Sequence, residues 1–267
     1  MANLVLFHAH PDDECITCGG VMRKAFEEGH RVVLVVATRG EHGEVPDGFL
    51  ADGEQLWQRR VAETHAAAEI LGVQRVHFLD YVDSGMMGTP TNDAPGSFWT
   101  APVDEAAGKL AVILQEERAD VLTCYDDNGG YGHPDHIQVH RVGMRAAELA
   151  GVPRVYQSTM NRDHMIRGMR AFAEQAASNG VEMPDLPDVE EESEFGKPES
   201  EITAAVDVSA YLEYKRRAMR AHASQISEQS FFLAMPDEAF QHAFGTEWFI
   251  RDGHGPGITE TDLLSGL

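Results

Sequence analysis

The chain has 267 residues, enough for one large or two small domains with a substantial core. Its 43% hydrophobic and 24% charged residues are ordinary for a soluble globular enzyme. The formal net charge of −23, from 21 basic and 44 acidic residues, argues against binding to nucleic-acid phosphates, and no apolar run reaches the ~20 residues of a membrane helix.

The cysteines and the N-terminus indicate the compartment. Three cysteines, Cys15, Cys18 and Cys124, are too few and odd in number for a disulfide framework. No basic and apolar leader begins the chain, so we expect a cytoplasmic protein with a small-molecule substrate and no nucleic-acid or membrane partner. Homo-oligomer formation is left open.

In the first 160 residues, short apolar runs typical of buried strands alternate with segments of helical character. The predicted strands are residues 3–9, 30–38, 73–81, 120–125 and 154–160. The predicted helices are residues 14–28, 53–72 and 103–118, with a further helix opening near Asp135. This alternation predicts an α/β fold with a mostly parallel sheet and helices on both faces. Ligands of such sheets bind beyond the carboxyl ends of the strands.

The later part of the chain is less regular. Residues 178–201 are acidic and contain proline, which indicates a surface excursion. Residues 201–209 read as another strand, followed by a helix with Ser209 as its N-cap. From Gly253 on the sequence reads as a tail. We expect a single domain over residues 1–267.

A cluster of ionisable residues follows the first strand. In "HPDDE", His10 and Asp13 can point at one metal ion, while Asp12 between them is free to act as a base. Pro11 restricts the backbone of this turn. The plain alternative is a helix N-terminus carrying acidic residues, which the helix dipole favours.

A second cluster, "YGHPDH" from Tyr131 to His136, follows the fourth strand. His133 and His136 are three residues apart and face one side at the start of a helix. A glycine-rich surface turn would explain this cluster alone. Two His-Pro-Asp turns at matching positions instead predict one Asp and two His ligands with water in the remaining position, as at a catalytic zinc site.

Other polar residues carry weaker signals. Arg60 on the second predicted helix reads as part of a charged face, and Asp83 follows the third strand at the predicted active edge. Cys15 and Cys18 lack the second pair of a structural zinc site, and a redox role is the weakest alternative. No glycine fingerprint follows a strand, which argues against a nucleotide-binding protein.

The motifs "AHPDDE" and "GHPDH", with "TRGEHGEV", "RVAE", "DSGM", "VDVSAY" and "AHASQ", resemble the PIG-L/LmbE-type zinc-dependent N-acetylglucosaminyl deacetylases, in particular mycothiol-type members. The resemblance implies a Rossmann-like fold and Zn²⁺ as cofactor. It also implies roles for individual residues: zinc ligands His10, Asp13 and His136; general base Asp12; transition-state residues His133 and Tyr131; and sugar-binding residues Arg60 and Asp83.

The sequence therefore predicts a zinc-dependent hydrolase that removes an N-acetyl or related N-acyl group from an amino sugar. The alternatives are an amidase acting on mycothiol-type conjugates, a deacetylase that tailors a natural product, and a zinc-binding protein without catalysis. Iron suits the same types of ligand.

Overall fold

The computed structural model describes residues 1–178 and 195–267, and its centre is one seven-stranded sheet. The strands are β1 (Asn3–His8), β2 (Arg31–Thr38), β3 (Arg75–Tyr81), β4 (Val121–Tyr125), β5 (Arg154–Thr159), β6 (Ala204–Asp207) and β7 (Thr246–Arg251). Their order is β3-β2-β1-β4-β5-β7-β6. Strands β1 to β5 are parallel, and β7 pairs antiparallel with both β5 and β6. The predicted, mostly parallel sheet is confirmed.

Eight α-helices surround the sheet within the described ranges. They are α1 (Asp13–Thr17), α2 (Gly19–Glu27), α3 (Leu56–Leu71), α4 (Val103–Glu116), α5 (Pro134–Ala150), α6 (Arg162–Ser178), α7 (Leu212–Ala221) and α8 (Asp237–Phe244). None of them is long and apolar enough to cross a membrane.

The two faces of the sheet carry separate hydrophobic cores, because successive side chains of a strand point to opposite faces. Leu4 and Leu6 of β1 pack with residues of α2, α3 and α7. Val5 and Phe7 pack on the other face with residues of α4 and α5. All four side chains are fully buried, and each contributes about 1.5–3 kcal/mol through removal of apolar surface from water. Helices therefore cover both faces, as predicted.

Three expectations from the sequence were wrong in detail. The helix over residues 14–28 is broken at Cys18 into α1 and α2. Ser209 does not cap α7: it begins a 3-10 turn, and its hydroxyl bonds the carboxylate of Asp207. The residues after Gly253 are not a free tail, because Leu263 and Leu264 are buried in the core and Arg154 donates to the carbonyl of Ser265.

Strand β7 and helices α6 and α8 were not predicted. The acidic excursion over residues 178–201 lies mostly outside the described residues. Its last part, from Phe195, is packed against the fold: the ammonium group of Lys197 pairs with the carboxylate of Asp127, and the Gly196 amide donates to the carbonyl of Gly130.

Candidate active site

The two His-Pro-Asp turns meet at the carboxyl edge of the sheet. Strands β1 and β4 are neighbours and run parallel, so the turns that follow them lie side by side. The first turn leads into α1, and the second leads into α5, where Pro134 occupies the first helical position. The sheet thus brings together two segments about 120 residues apart in the sequence.

Three donor atoms from these turns form a nearly equilateral triangle. Asp13 Oδ2 lies 3.4 Å from His10 Nδ1 and 3.3 Å from His136 Nε2, and the two nitrogens are 3.3 Å apart. A tetrahedral ion with bonds of about 2.0–2.1 Å has ligand atoms about 3.3–3.4 Å apart. The positions of these residues fit such an ion without rearrangement.

The electrostatic surroundings favour a cation at this point. Burial lowers the pKa of His10, but Asp83, Asp13 and Asp135 outweigh that effect and raise it well above its ordinary value. Burial raises the pKa of Asp13, yet His136 and His10 hold it well below the usual range. The donor set therefore combines two imidazoles with an ionised carboxylate in a field of further carboxylates.

His133 also lies near these nitrogens, since each of His10, His133 and His136 offers a nitrogen within 4.8 Å of the other two. Its Nδ1 accepts a hydrogen bond from the Asp135 amide at 3.2 Å, so the ring proton sits on Nε2. Burial, followed by the charges of His10 and His136, lowers the pKa of His133 to about 4. His133 is thus a neutral N–H donor beside the triangle, and Asp13 is the better third ligand.

Asp135 orients the ligand His10 and was given no role from the sequence. It is fully buried, and its Oδ2 accepts from His10 Nε2 at 3.1 Å and from the Ser84 amide at 2.9 Å. Its Oδ1 accepts from the Ser84 hydroxyl. These bonds place the proton of His10 on Nε2 and leave Nδ1 free as a donor atom. Both residues stand within quoted motifs, Asp135 in "GHPDH" and Ser84 in "DSGM", but neither was given a role.

His136 is oriented by two contacts. Its Nδ1 donates to the carbonyl of Gly129 at 3.2 Å, which leaves Nε2 free for a metal ion. The ring of Tyr125 stacks on it at 4.6 Å, and the Tyr125 hydroxyl lies 2.8 Å from His8 Nδ1. His8 therefore lies behind His136 and is not one of the three donor residues.

Asp12 has an unusual backbone conformation, with φ 98° and ψ −28°. For a residue with a side chain, such a conformation is less stable by about 1–3 kcal/mol, and it is retained where surrounding contacts enforce it. Its carboxylate lies 3.3 Å from Arg60 Nη2. Burial raises the pKa of Asp12 to about 6, against the opposing charge of Arg60. A carboxylate with this pKa can exchange a proton near neutral pH.

Arg60 and Asp83 both lie at this edge. Arg60 is buried and donates to the carbonyls of Pro11 at 2.5 Å and Gly40 at 3.0 Å. Asp83 accepts from the amides of His42 at 3.3 Å and Gly85 at 2.8 Å. Burial raises the pKa of Asp83, but His10 and these amides hold it well below its usual range. Their predicted contacts with sugar hydroxyls stay predictions.

Tyr131 borders the triangle from the solvent side. Its hydroxyl is 3.5 Å from His136 Nε2, and the residue is 42% exposed. Burial of the hydroxyl, together with the charge of Asp13, raises the pKa of Tyr131, so the group is protonated and can donate a hydrogen bond.

A second group of potential ligands, Glu14, Cys15 and His222, lies directly behind the turn. Glu14 Oε1 and His222 Nε2 are 2.5 Å apart, which is a hydrogen bond and too short for two ligands of one ion. Cys15 and Cys18 are buried and unpaired, and burial raises the pKa of both thiols. Neither a second metal site nor a reactive thiolate is therefore favoured here.

The chain is similar to several proteins of known description. Residues 5–147 match the family described as PIG-L, GlcNAc-PI de-N-acetylase. A 1D-myo-inositol 2-acetamido-2-deoxy-alpha-D-glucopyranoside deacetylase from Acidothermus cellulolyticus is 42% identical, covering 99% of this chain and 95% of its own. A protein described by the same name, numbered deacetylase 1, from Catenulispora acidiphila is 41% identical, with coverage of 99% and 89%.

The fold is also found among solved structures. A deacetylase of the teicoplanin biosynthesis pathway superposes with a TM-score of 0.61 over 95% of this chain and 100% of its own. Its sequence identity is 18%, so this likeness concerns the fold alone.

Proposed function

Because this chain belongs to the PIG-L family of GlcNAc-PI de-N-acetylases, we propose that it is a zinc-dependent hydrolase that removes the N-acetyl group from an amino-sugar substrate. The relatives at 41–42% identity are described as deacetylases of an N-acetylglucosaminyl-inositol, and this compound is the substrate we propose. The observation that carries the proposal is the triangle of donor atoms from His10, Asp13 and His136.

His10, Asp13 and His136 would hold the ion. Zinc in such a site polarises a carbonyl oxygen and makes water acidic enough to react near neutral pH. The nitrogen and oxygen donors and their tetrahedral spacing support zinc, and iron accepts the same ligand types.

Asp12 acts as the general base in this proposal. Its carboxylate takes a proton from the attacking water and later delivers it to the amine nitrogen of the leaving sugar. The raised pKa of Asp12, about 6, supports this role, because the group has to be ionised before attack and protonated afterwards. Arg60, 3.3 Å from Asp12, limits the carboxylate's position.

His133 and Tyr131 stabilise the charge that develops on the acetyl oxygen. His133 Nε2 carries a proton because Nδ1 accepts from the Asp135 amide, so it donates without any change of tautomer. The Tyr131 hydroxyl, at the solvent side, adds a second donor. Preformed donors of this kind are typically worth about a hundred- to a thousand-fold in rate. Arg60 and Asp83 are the proposed contacts to the sugar hydroxyls.

The three free, buried cysteines support a reducing, cytoplasmic setting for this reaction. We infer that the molecule bound at the site is the small amino-sugar substrate.

The test is hydrolysis of N-acetylglucosaminyl-inositol by the zinc-loaded protein, measured as acetate release, with and without chelator. We expect acetate release that stops on chelation and returns when zinc is restored. A matched control is Asp104→Ala, whose exposed carboxylate on α4 pairs with Arg145 and which should leave the rate unchanged. A zinc-loaded protein that releases no acetate from any N-acetylated amino sugar would exclude the proposal, and cleavage of thiol-conjugate amides instead would favour the amidase alternative.

A further inference from the structure

We propose that the buried pair of Glu14 and His222 is a positioning device for Asp12, which holds the catalytic carboxylate in place by fixing its backbone. The inference rests on the proposed function in one respect, the role of Asp12 as base. Neither Glu14 nor His222 is hydrogen-bonded to the triangle of ligand atoms, whereas Glu14 is hydrogen-bonded to the Asp12 amide.

The pair contacts the catalytic turn through one hydrogen bond. Glu14 Oε2 accepts from the Asp12 amide at 2.9 Å, and Glu14 Oε1 pairs with His222 Nε2 at 2.5 Å. Both side chains have no exposed surface. His222 ends α7 and lies 208 residues from Glu14 in the sequence. The pair therefore ties the turn after β1 to a helix from the last quarter of the chain.

The backbone of Asp12 needs such a contact. Its φ of 98° lies outside the regions that residues with a Cβ prefer. The Asp12 carbonyl is held by the amides of Cys15 and Ile16 at 3.2 and 3.3 Å. Glu14 supplies the acceptor on the amide side. Both peptide units of Asp12 are then fixed, and they determine where its carboxylate points.

A contribution to folding stability alone does not explain the buried pair of Glu14 and His222. A buried ion pair is generally no more stabilising than apolar groups of the same size. In addition, His222 Nδ1 is buried and has no hydrogen-bond partner among the described residues. An unpaired buried polar atom is unfavourable for folding and calls for a functional explanation.

The chain also contains a buried pair of the same kind that serves a different purpose. Lys215 Nζ and Glu247 Oε1 are 2.5 Å apart, and both side chains are almost completely buried. Glu247 accepts from the amides of Gly20 and Val21 at the start of α2, at 2.8 Å each. This pair supports a helix start and makes no described contact with Asp12, so it provides the matched control.

The experiment compares Glu14→Ala and Glu14→Gln in the full-length, zinc-loaded protein. Alanine removes the acceptor of the Asp12 amide, whereas glutamine keeps an oxygen there. We expect Glu14→Ala to lower kcat about a hundredfold, the size of effect that follows a small misplacement of a catalytic group, with KM and zinc content unchanged. Glu14→Gln should recover most of the lost kcat. The control Glu247→Gln should lower the unfolding temperature and leave kcat at the wild-type value.

Crystal structures of wild type and Glu14→Ala test the same inference without turnover. We expect Asp12 to leave its φ near 98° in the variant. A folded, zinc-loaded Glu14→Ala protein with wild-type kcat, or with Asp12 unmoved in the crystal, would overturn the inference. Loss of zinc from the Glu14→Ala protein would overturn the inference as well. So would a fall in kcat for Glu247→Gln as large as that for Glu14→Ala. An inactive wild type would instead count against the proposed function, and the crystal comparison would still decide the role of the pair.

Discussion

Replacement of Asp135 by alanine should weaken metal binding although Asp135 is not itself a proposed ligand. In the structure Asp135 accepts hydrogen bonds from His10 Nε2 and from the Ser84 amide, and it is fully buried. Alanine removes the acceptor that places the proton of His10 on Nε2. The ring is then free to rotate or to change tautomer, and Nδ1 no longer faces the other two donor atoms.

The size of the effect follows from these contacts. Loss of a partner that orients a ligand typically lowers metal affinity by about 10- to 100-fold. That corresponds to about 1.4–2.7 kcal/mol. The Ser84 amide and the His10 ring nitrogen are also left unpaired inside the protein, at about 1–3 kcal/mol each. The variant should therefore unfold at a lower temperature even without metal.

Zinc affinity can be measured by competition with a chromophoric chelator, on protein shown to be folded by circular dichroism. Asp135→Asn keeps an oxygen that can accept from His10, so its affinity should lie between those of the alanine variant and wild type. The exposed Asp104→Ala variant serves as the surface control. An Asp135→Ala protein that binds zinc as tightly as wild type would show that the hydrogen bond to His10 does not set the ligand geometry.

Three further predictions concern the proposed base, the proposed donor His133 and the packing of α2. Asp12→Ala should retain zinc but lose about 10²- to 10⁴-fold in turnover, as measured by metal analysis with initial rates, and normal turnover would refute its role as base. His133→Ala should retain zinc and lower kcat about a hundred- to a thousand-fold, so an unchanged kcat would exclude it as a donor to the transition state. Gly20→Ala places a Cβ 2.6 and 2.8 Å from the two methyl carbons of Val208, so it should lower the free energy of unfolding in urea by about 1–3 kcal/mol. Its control, Gly108→Ala on α4, meets nothing within 4 Å and should leave the free energy of unfolding unchanged or raise it. Equal stabilities of the two variants would refute the packing argument.

The central sheet could be predicted because its signals are local. Strands β1 and β2 are short apolar runs bounded by polar residues, and each helix between strands shows its own periodicity. The break at Cys18 was missed because residues 14–28 were read as one helix. Gly19 instead begins a second helix, and Gly20 lies against Val208 there.

Strand β7 was missed for a different reason. It pairs antiparallel with β5 and β6, and its burial follows from these distant partners rather than from a pattern within its own six residues.

The residues of the site also fall into two groups, those within local motifs and those joined by contacts between distant parts of the chain. The two compact motifs contain the site residues that the sequence predicts. The structure brings together His10, Asp13, His133 and His136, as the positions of the motifs after β1 and β4 predict. The supporting contacts join residues that are far apart in sequence. Ser84 meets Asp135 across 51 positions, and Glu14 meets His222 across 208. No local spacing encodes such pairs, so they become visible only once the chain is folded.

The separation of these residues along the chain sets an order for the maturation of the site during synthesis. Chains emerge from the ribosome N-terminus first. The proposed ligand set is incomplete until His136 and its helix have emerged, and Glu14, which holds the Asp12 amide, gains its partner only when His222 follows. An N-terminal fragment that ends between these points would thus contain all three ligands and lack the final support of the base. On the proposed roles, the metal ligands are therefore complete in a shorter length of chain than the support of the base.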